Sequence, residues 1–171
     1  MELKEIIKGR HAVRKFKDKQ VEQDKLQRIL EAGNAAPTAK NLQPHRIYVL
    51  QSEEALEKLD TLTHCRYGAK TVLLFTFNKD EDWKNPLEEG VHSGIEDVSI
   101  VATHIMLAAY EEGLGSCWCN YFANKKLEET FNIPSNEQSV LILPIGYEAD
   151  DSVVAPTHNT KKNLDEIVRY L

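Results

Sequence analysis

The residues of this sequence best placed to do chemistry are cationic. From Lys8 to Lys17 the chain carries Lys8, Arg10, His11, Arg14, Lys15 and Lys17 and no acid, although its formal net charge is −6. From Ser152 to Leu164 it carries Lys161, Lys162 and His158, again with no Asp or Glu. Two basic islands near opposite ends of a folded chain can meet in space and hold one dianionic phosphate through charge-assisted hydrogen bonds. The other reading of such residues is a solvated surface, and charge alone does not choose between them.

The remaining reactive types give weaker signals. Cys117 and Cys119 would stand about 6.6 Å apart along a strand, at the upper limit for a disulfide. With Cys65 they make an odd set of three, which reads as buried small hydrophobes in a reducing compartment. Gly113-Leu114-Gly115 resembles a fragment of a dinucleotide fingerprint, but that fingerprint runs strand, glycines, helix, whereas the order here is helix, glycines, strand. His92 and His104 are too far apart for a single-turn metal pair, and no histidine has a recognisable ligand spacing with Cys or acids, so no bound metal is expected.

These side chains need elements to position them. Leu3, Ile6 and Ile7 give a short helical face that Gly9 ends. Leu26, Ile29, Leu30 and Gly33 mark a helix over 21–34, and Pro37 stops it. Residues 37–44 then form a rigid polar loop between two prolines. Arg46–Leu50 and Thr71–Phe77, rich in β-branched and aromatic residues, read as strands around a helix from Glu53 to about Leu59. A long helix is predicted from Val91 to about Glu112, apolar almost all round in its second half and roughly 33 Å long. One small sheet cannot cover such a helix, and Glu96, Asp97, His104 and Glu111 argue against a membrane span. A second subunit is the expected partner. Gly113 closes the helix, a strand starts over Gly115–Cys119, a short helix spans Lys125–Phe131, and Ser139–Ile145 is the last core strand. The tail from Val153 ends in a short helical pattern at Leu164, Ile167 and Val168. Strands separated by helices imply an α+β fold with a mixed, mostly antiparallel sheet flanked by helices. A single domain over 1–171 is expected.

The wording of the motifs narrows the function. Arg10-His11-Ala12-Val13-Arg14-Lys15-Phe16 resembles the Arg-Arg-Ser-x-Arg-x-Phe opening of the nitroreductase family of FMN-dependent enzymes. Ala36-Pro37-Thr38-Ala39-Lys40-Asn41-Leu42-Gln43-Pro44-His45 is similar to that family's Ala-Pro-Ser-x-x-Asn-x-Gln-Pro-Trp loop. Gly113-Leu114-Gly115-Ser116-Cys117-Trp118, Ile145-Gly146-Tyr147 and the terminal Lys161-Lys162-Asn163-Leu164 follow in family order. The resemblance implies that Arg10, His11, Ala12 and Arg14 grip the FMN phosphate and ribityl chain, with Lys161 and Lys162 completing the phosphate site. It assigns Pro37, Thr38 and Asn41 to a flavin site shared across a homodimer, on whose partner subunit residues 153–171 pack. Asn120 and Tyr121 fall where relatives line the flavin ring near N5. The sequence departs from the family pattern at His11 and Ala12, which replace arginine and serine, at His45, which replaces tryptophan, and at Asn120-Tyr121, where many relatives have two glycines.

What the resemblance implies is an oxidoreductase that takes hydride from NADH or NADPH and reduces nitroaromatics, quinones or similar flat acceptors by a ping-pong mechanism. Since FMN carries that chemistry, no side chain is assigned as catalytic. A flavin-binding electron carrier or sensor is the alternative. The acidic balance argues against a general nucleic-acid binder, no apolar run has bilayer length, and the N-terminal Met1-Glu2-Leu3-Lys4-Glu5 is unlike a secretory signal. A cytoplasmic protein is expected.

Overall fold

The computed structural model describes residues 2–171; Met1, part of the N-terminal stretch read above for a signal, lies outside them. In chain order the elements are α1 (Leu3–Gly9), α2 (Gln23–Asn34), β1 (His45–Leu50), α3 (Glu53–Asp60), β2 (Thr71–Asn78), α4 (Gly94–Glu111), β3 (Gly115–Ser116), α5 (Asn124–Thr130), β4 (Glu137–Gly146) and α6 (Leu164–Ile167). One-turn 3-10 helices at Ala39–Asn41 and Pro156–Asn159 punctuate the loops. The fold is α+β, and its four strands run in the order β1-β2-β4-β3, each pair antiparallel. The only parallel pairing among the described residues is a single bridge between Ala12 and Ser116.

The sheet is buried on both faces, and the strand sequences show why. Every residue from Thr71 to Phe77 is buried, so β2 reads as a near-continuous apolar run, broken only at Thr76, rather than an alternating one. Leu73, Phe75 and Phe77, with Leu143 and Ile145 of β4, pack on Val98, Val101, Ala102 and Ile105 of α4, with Leu26 and Ile29 of α2 in the same core. Val72, Leu74 and Ile142 point the other way, onto Leu56 and Leu59 of α3, Leu127 of α5 and the three cysteines. Successive side chains of a strand face opposite sides, so one strand serves two cores.

Most boundaries fall within two residues of those predicted, and two elements depart by more. Helix α4 begins at Gly94, not Val91, and is 18 residues long, or about 27 Å. Val91 and His92 belong instead to a turn in which Lys84 and His92 pair and Asn85 N–H donates to the Val91 carbonyl. Gly94 is where the helix meets the sheet: a Cβ there would lie 2.3 Å from the Phe77 ring. Strand β3 is shorter than Gly115–Cys119. Cys117 stands opposite Pro144 and donates to its carbonyl, but a proline has no N–H to return. The ladder therefore lapses until Cys119 pairs with Ile142, and the segment stays extended without being a regular strand.

Helix α4 ends as expected, with Gly113 at φ 76°, in the left-handed region that glycine enters at no steric cost. Its outer face is not covered within the chain: Ile95 and Ile100 are exposed. So are Leu164, Ile167, Val168 and Tyr170 of the tail. No helix of the described residues is long and apolar enough to cross a membrane.

Candidate cofactor-binding site

The segment after α1 is pinned along its length to the end of the sheet. Val13 N–H donates to the Ser116 carbonyl at 3.0 Å, Lys17 N–H to Tyr147 O at 2.8 Å, and Ala149 N–H to Lys15 O at 3.0 Å. Val13 and Phe16 are driven inward and buried, and Gly115 leaves room for Val13, whose Cγ2 would lie 2.5 Å from a Cβ at that position. With the apolar residues facing the core, Arg10 and Arg14 reach the surface side of the strip.

There they meet the tail. Arg10, His11, Ala12 and Arg14 line one cleft with Ala155, Thr157, His158 and Lys161, enclosing about 210 Å³. No carboxylate is among these residues. Two other cations of the first island are neutralised: Lys15 pairs with Asp151, and Lys17 with Asp150 at 2.6 Å. Among the described residues Arg10, Arg14, Lys161 and Lys162 have no acidic partner. Lys162 does not line the cleft and is exposed beside it.

His11 lines the cleft in a different way. Its Nδ1 lies 3.2 Å from the Gly9 carbonyl and its Nε2 3.1 Å from both carboxylate oxygens of Glu148. Both nitrogens are engaged by protein acceptors, so the ring shapes the wall more than it offers a free charge. Burial works to raise the Glu148 carboxyl, but its hydrogen bonds with Ser152 and His11 win, and it sits below the usual carboxylate range. The His158 ring stands edge-on to His11, 5.9 Å between centroids.

Pro37, Thr38 and Asn41 do not line this cleft. Their loop has an unusual backbone: Lys40, Asn41 and Gln43 have φ of 52°, 55° and 52°, conformations that cost energy in non-glycine residues and persist only when surroundings enforce them. The enforcing bonds are visible. Gln43 N–H donates to Thr38 Oγ1 at 3.1 Å, and Ala39 N–H donates to Asp97 Oδ1 at 2.8 Å. The other oxygen of Asp97 accepts from the Ser93 hydroxyl at 2.7 Å, and Ser93 Oγ accepts from Trp83 N–H at 3.2 Å. Asp97 is 2 % exposed, a buried acid in the first turn of α4 that clamps the loop.

Asn120 and Tyr121 also lie outside the cation cleft, five residues along the extended segment from Ser116 at most. The Asn120 side chain is fully used, accepting from Trp118 Nε1 and donating to the Val140 carbonyl, both at 2.7 Å. Tyr121 is 72 % exposed, its ring tilted against His64 at 5.3 Å. The backbone N–H groups of both residues donate to no acceptor among the described residues. The three cysteines are free and buried beneath this segment. A hydrogen bond from Cys119, aided by Arg14 and Arg10, holds the Cys117 thiol below the ordinary range, while Cys119 is pushed up. No group of three His, Cys, Asp or Glu among the described residues is placed to hold a metal ion.

The family model described as "Nitroreductase family" matches residues 7–67 and 66–147. The chain belongs to the nitroreductase family. A nitroreductase family protein from Clostridium difficile is 36 % identical, with a TM-score of 0.92 over 99 % of this chain and 98 % of that one. An FMN-dependent nitroreductase from the same species is 30 % identical, with a TM-score of 0.76 and 96 % of each chain covered. A protein of Methanothermobacter thermautotrophicus named as a putative NADH dehydrogenase/NAD(P)H nitroreductase is 28 % identical over 161 residues, 88 % of this chain and 80 % of its own.

Within this nitroreductase-family chain, Asp97 is a loop-positioning residue that no sequence motif marks. Its signal was present: Asp97 shares a stripe with Val101 and Ile105, all buried, and an acid on an apolar stripe needs a partner. His45, which replaces the family's loop tryptophan, is half-buried with Nδ1 unpartnered. Burial, helped by the nearby Arg46 charge, lowers its pKa.

Proposed function

We propose that the chain binds FMN with its phosphate in the cleft of Arg10, Arg14, Lys161 and Thr157, and works as an NAD(P)H-dependent oxidoreductase on flat acceptors such as nitroaromatics and quinones. The observation that carries this is the convergence of three unpaired cations, from the two ends of the chain, on a cleft without a carboxylate. Cations held together without counter-charge repel one another and are stable neighbours when an anion joins them. A phosphomonoester has the charge and the acceptor oxygens for Arg10, Arg14, Lys161 and the Thr157 hydroxyl.

The rest of the site follows the chain away from the cleft. From Ser116, bridged to Ala12, to Tyr121 the extended segment spans about 16 Å, a reach comparable to the flavin and its ribityl chain. It ends at the two backbone N–H groups without acceptors, those of Asn120 and Tyr121, which are free to face the ring. Bound FMN supplies the hydride-accepting and electron-donating chemistry; the protein binds, orients and shields it. The exposed Ile95 and Ile100 of α4 and the apolar tail are the surfaces of a homodimer, in which the clamped loop of Pro37, Thr38 and Asn41 reaches the partner's flavin and residues 153–171 pack on the partner. With no covalent intermediate and one shared ring face, donor and acceptor must alternate, giving ping-pong kinetics in a cytoplasmic enzyme.

Freshly purified protein should be yellow with a flavin spectrum, bleach on anaerobic mixing with NADH or NADPH, and recover colour with a nitroaromatic or quinone. Initial rates should give parallel double-reciprocal lines. A colourless protein that also fails to bind added FMN would sink the reading. Bleaching without turnover on any acceptor would point instead to an electron carrier.

A further inference from the structure

The cleft assigned to the flavin phosphate does not end at Arg10. A second cleft of about 440 Å³, lined by Ile7, Lys8, Arg10, His158, Asn159 and Lys161, continues from it. The two share Arg10, His158 and Lys161, so they are one groove with two compartments. No carboxylate lines either compartment, and Lys8 has no acidic partner among the described residues.

The charge in this groove exceeds what one phosphate needs. Lys8, Arg10, Arg14 and Lys161 are four unpaired cations, whereas a phosphomonoester carries a charge of about −1.5 to −2 near neutral pH. The chain does supply acids where it neutralises its own basic residues, as Asp150 and Asp151 do for Lys17 and Lys15. The surplus positive charge thus sits where no internal partner has been provided. The second compartment is also larger than the first. Its walls combine the exposed Ile7 with the Asn159 amide, an apolar patch beside a donor and acceptor, which suits a heterocyclic base.

We infer that Lys8, His158, Asn159 and Lys161 form a second phosphate subsite, contiguous with the first, that takes the phosphate of an adenine nucleotide. This rests on the FMN reading above and extends it. Two nucleotides carry such a phosphate to this place: FAD, whose adenylyl phosphate is bonded to the flavin phosphate, and NADPH, whose 2′-phosphate distinguishes it from NADH.

The experiment titrates apoprotein with FMN and with FAD by fluorescence, and measures kcat/KM for NADPH and NADH on the FMN-loaded enzyme, for wild type, Lys8→Ala and Lys8→Glu. Loss of one charged hydrogen bond should weaken the affected ligand about tenfold, and charge reversal should weaken it further. A selective loss of FAD affinity with FMN unchanged assigns the subsite to the flavin dinucleotide. A selective fall in kcat/KM for NADPH with NADH unchanged assigns it to the 2′-phosphate. If neither substitution separates FAD from FMN or NADPH from NADH, the subsite does not exist, while FMN binding by the same protein leaves the proposed function standing. Wild-type protein that binds no FMN removes both.

Discussion

Arg14 and Lys15 are neighbours with opposite fates. Lys15 is matched by Asp151, while Arg14 faces the cleft with no acid near it. A hydrogen bond to a charged group contributes roughly 1.5 to 3 kcal/mol, so Arg14→Ala should weaken FMN binding about ten- to a hundredfold, read by flavin fluorescence quenching. Lys15→Ala, on an exposed pair, should leave that affinity nearly unchanged. Asp97 makes the opposite kind of contribution, acting on the loop's shape. Asp97→Ala takes the acceptor from the part-buried Ala39 N–H and from the buried Ser93 hydroxyl and should cost about 1 to 3 kcal/mol in all. Asp97→Asn keeps an oxygen for Ala39 and should cost less. Urea unfolding with amide exchange at Ala39 checks both: equal midpoints and unchanged exchange in the alanine variant would refute the clamp.

At the scale of elements, the α4–β2 contact is set by a missing side chain. Alanine is the better helix former by about 1 kcal/mol, so local propensity predicts that Gly94→Ala stabilises α4. The contact predicts the reverse, because the added Cβ would lie 2.3 Å from a buried aromatic ring whose other neighbours include His92 at 5.5 Å. We expect a net loss of about 1 to 3 kcal/mol from overpacking, measured as a lower thermal or urea midpoint. The start of α4 was misplaced in the sequence for a related reason: Val91 fits the apolar period, but the pairing of Lys84 with His92 is a contact across a loop. Likewise β3 is cut short by Pro144, a residue 27 positions beyond Cys117 in the chain. The interiors of helices and strands were legible because their periods are local. Their ends depended on what packed against them.

At the scale of the whole molecule, acid should unfold the protein progressively. Hydrogen bonds with Lys19 and Tyr147 hold Glu22 down from an ordinary 4.5 to about 2, and Asp24, Glu112, Glu148 and Asp151 are also lowered. A folded-state pKa below the unfolded value gives stability that is present above the unfolded pKa and is lost as pH falls through the folded one. The urea midpoint should therefore fall between about pH 5 and pH 2, and salt should flatten the slope because most of these groups are exposed. A midpoint independent of pH over that range would refute the linkage. The exposed outer face of α4 yields a second expectation. In solution the chain should sediment at twice its own mass, and Ile100→Glu should give monomers that have lost FMN. Monomeric wild type that retains FMN would overturn the shared site.

The sequence by itself determined the family, the α+β order of elements and the two basic islands, because each is written in neighbouring residues and needs no knowledge of distance. Only the tertiary structure decided which cations are spent on Asp150 and Asp151 and which stay free in the groove, and that a buried Asp97 shapes the Pro37–Pro44 loop. Charges pair across space, and a group's free energy depends on what faces it. Residues as far apart as Ala39 and Asp97 become neighbours only when the core closes between them.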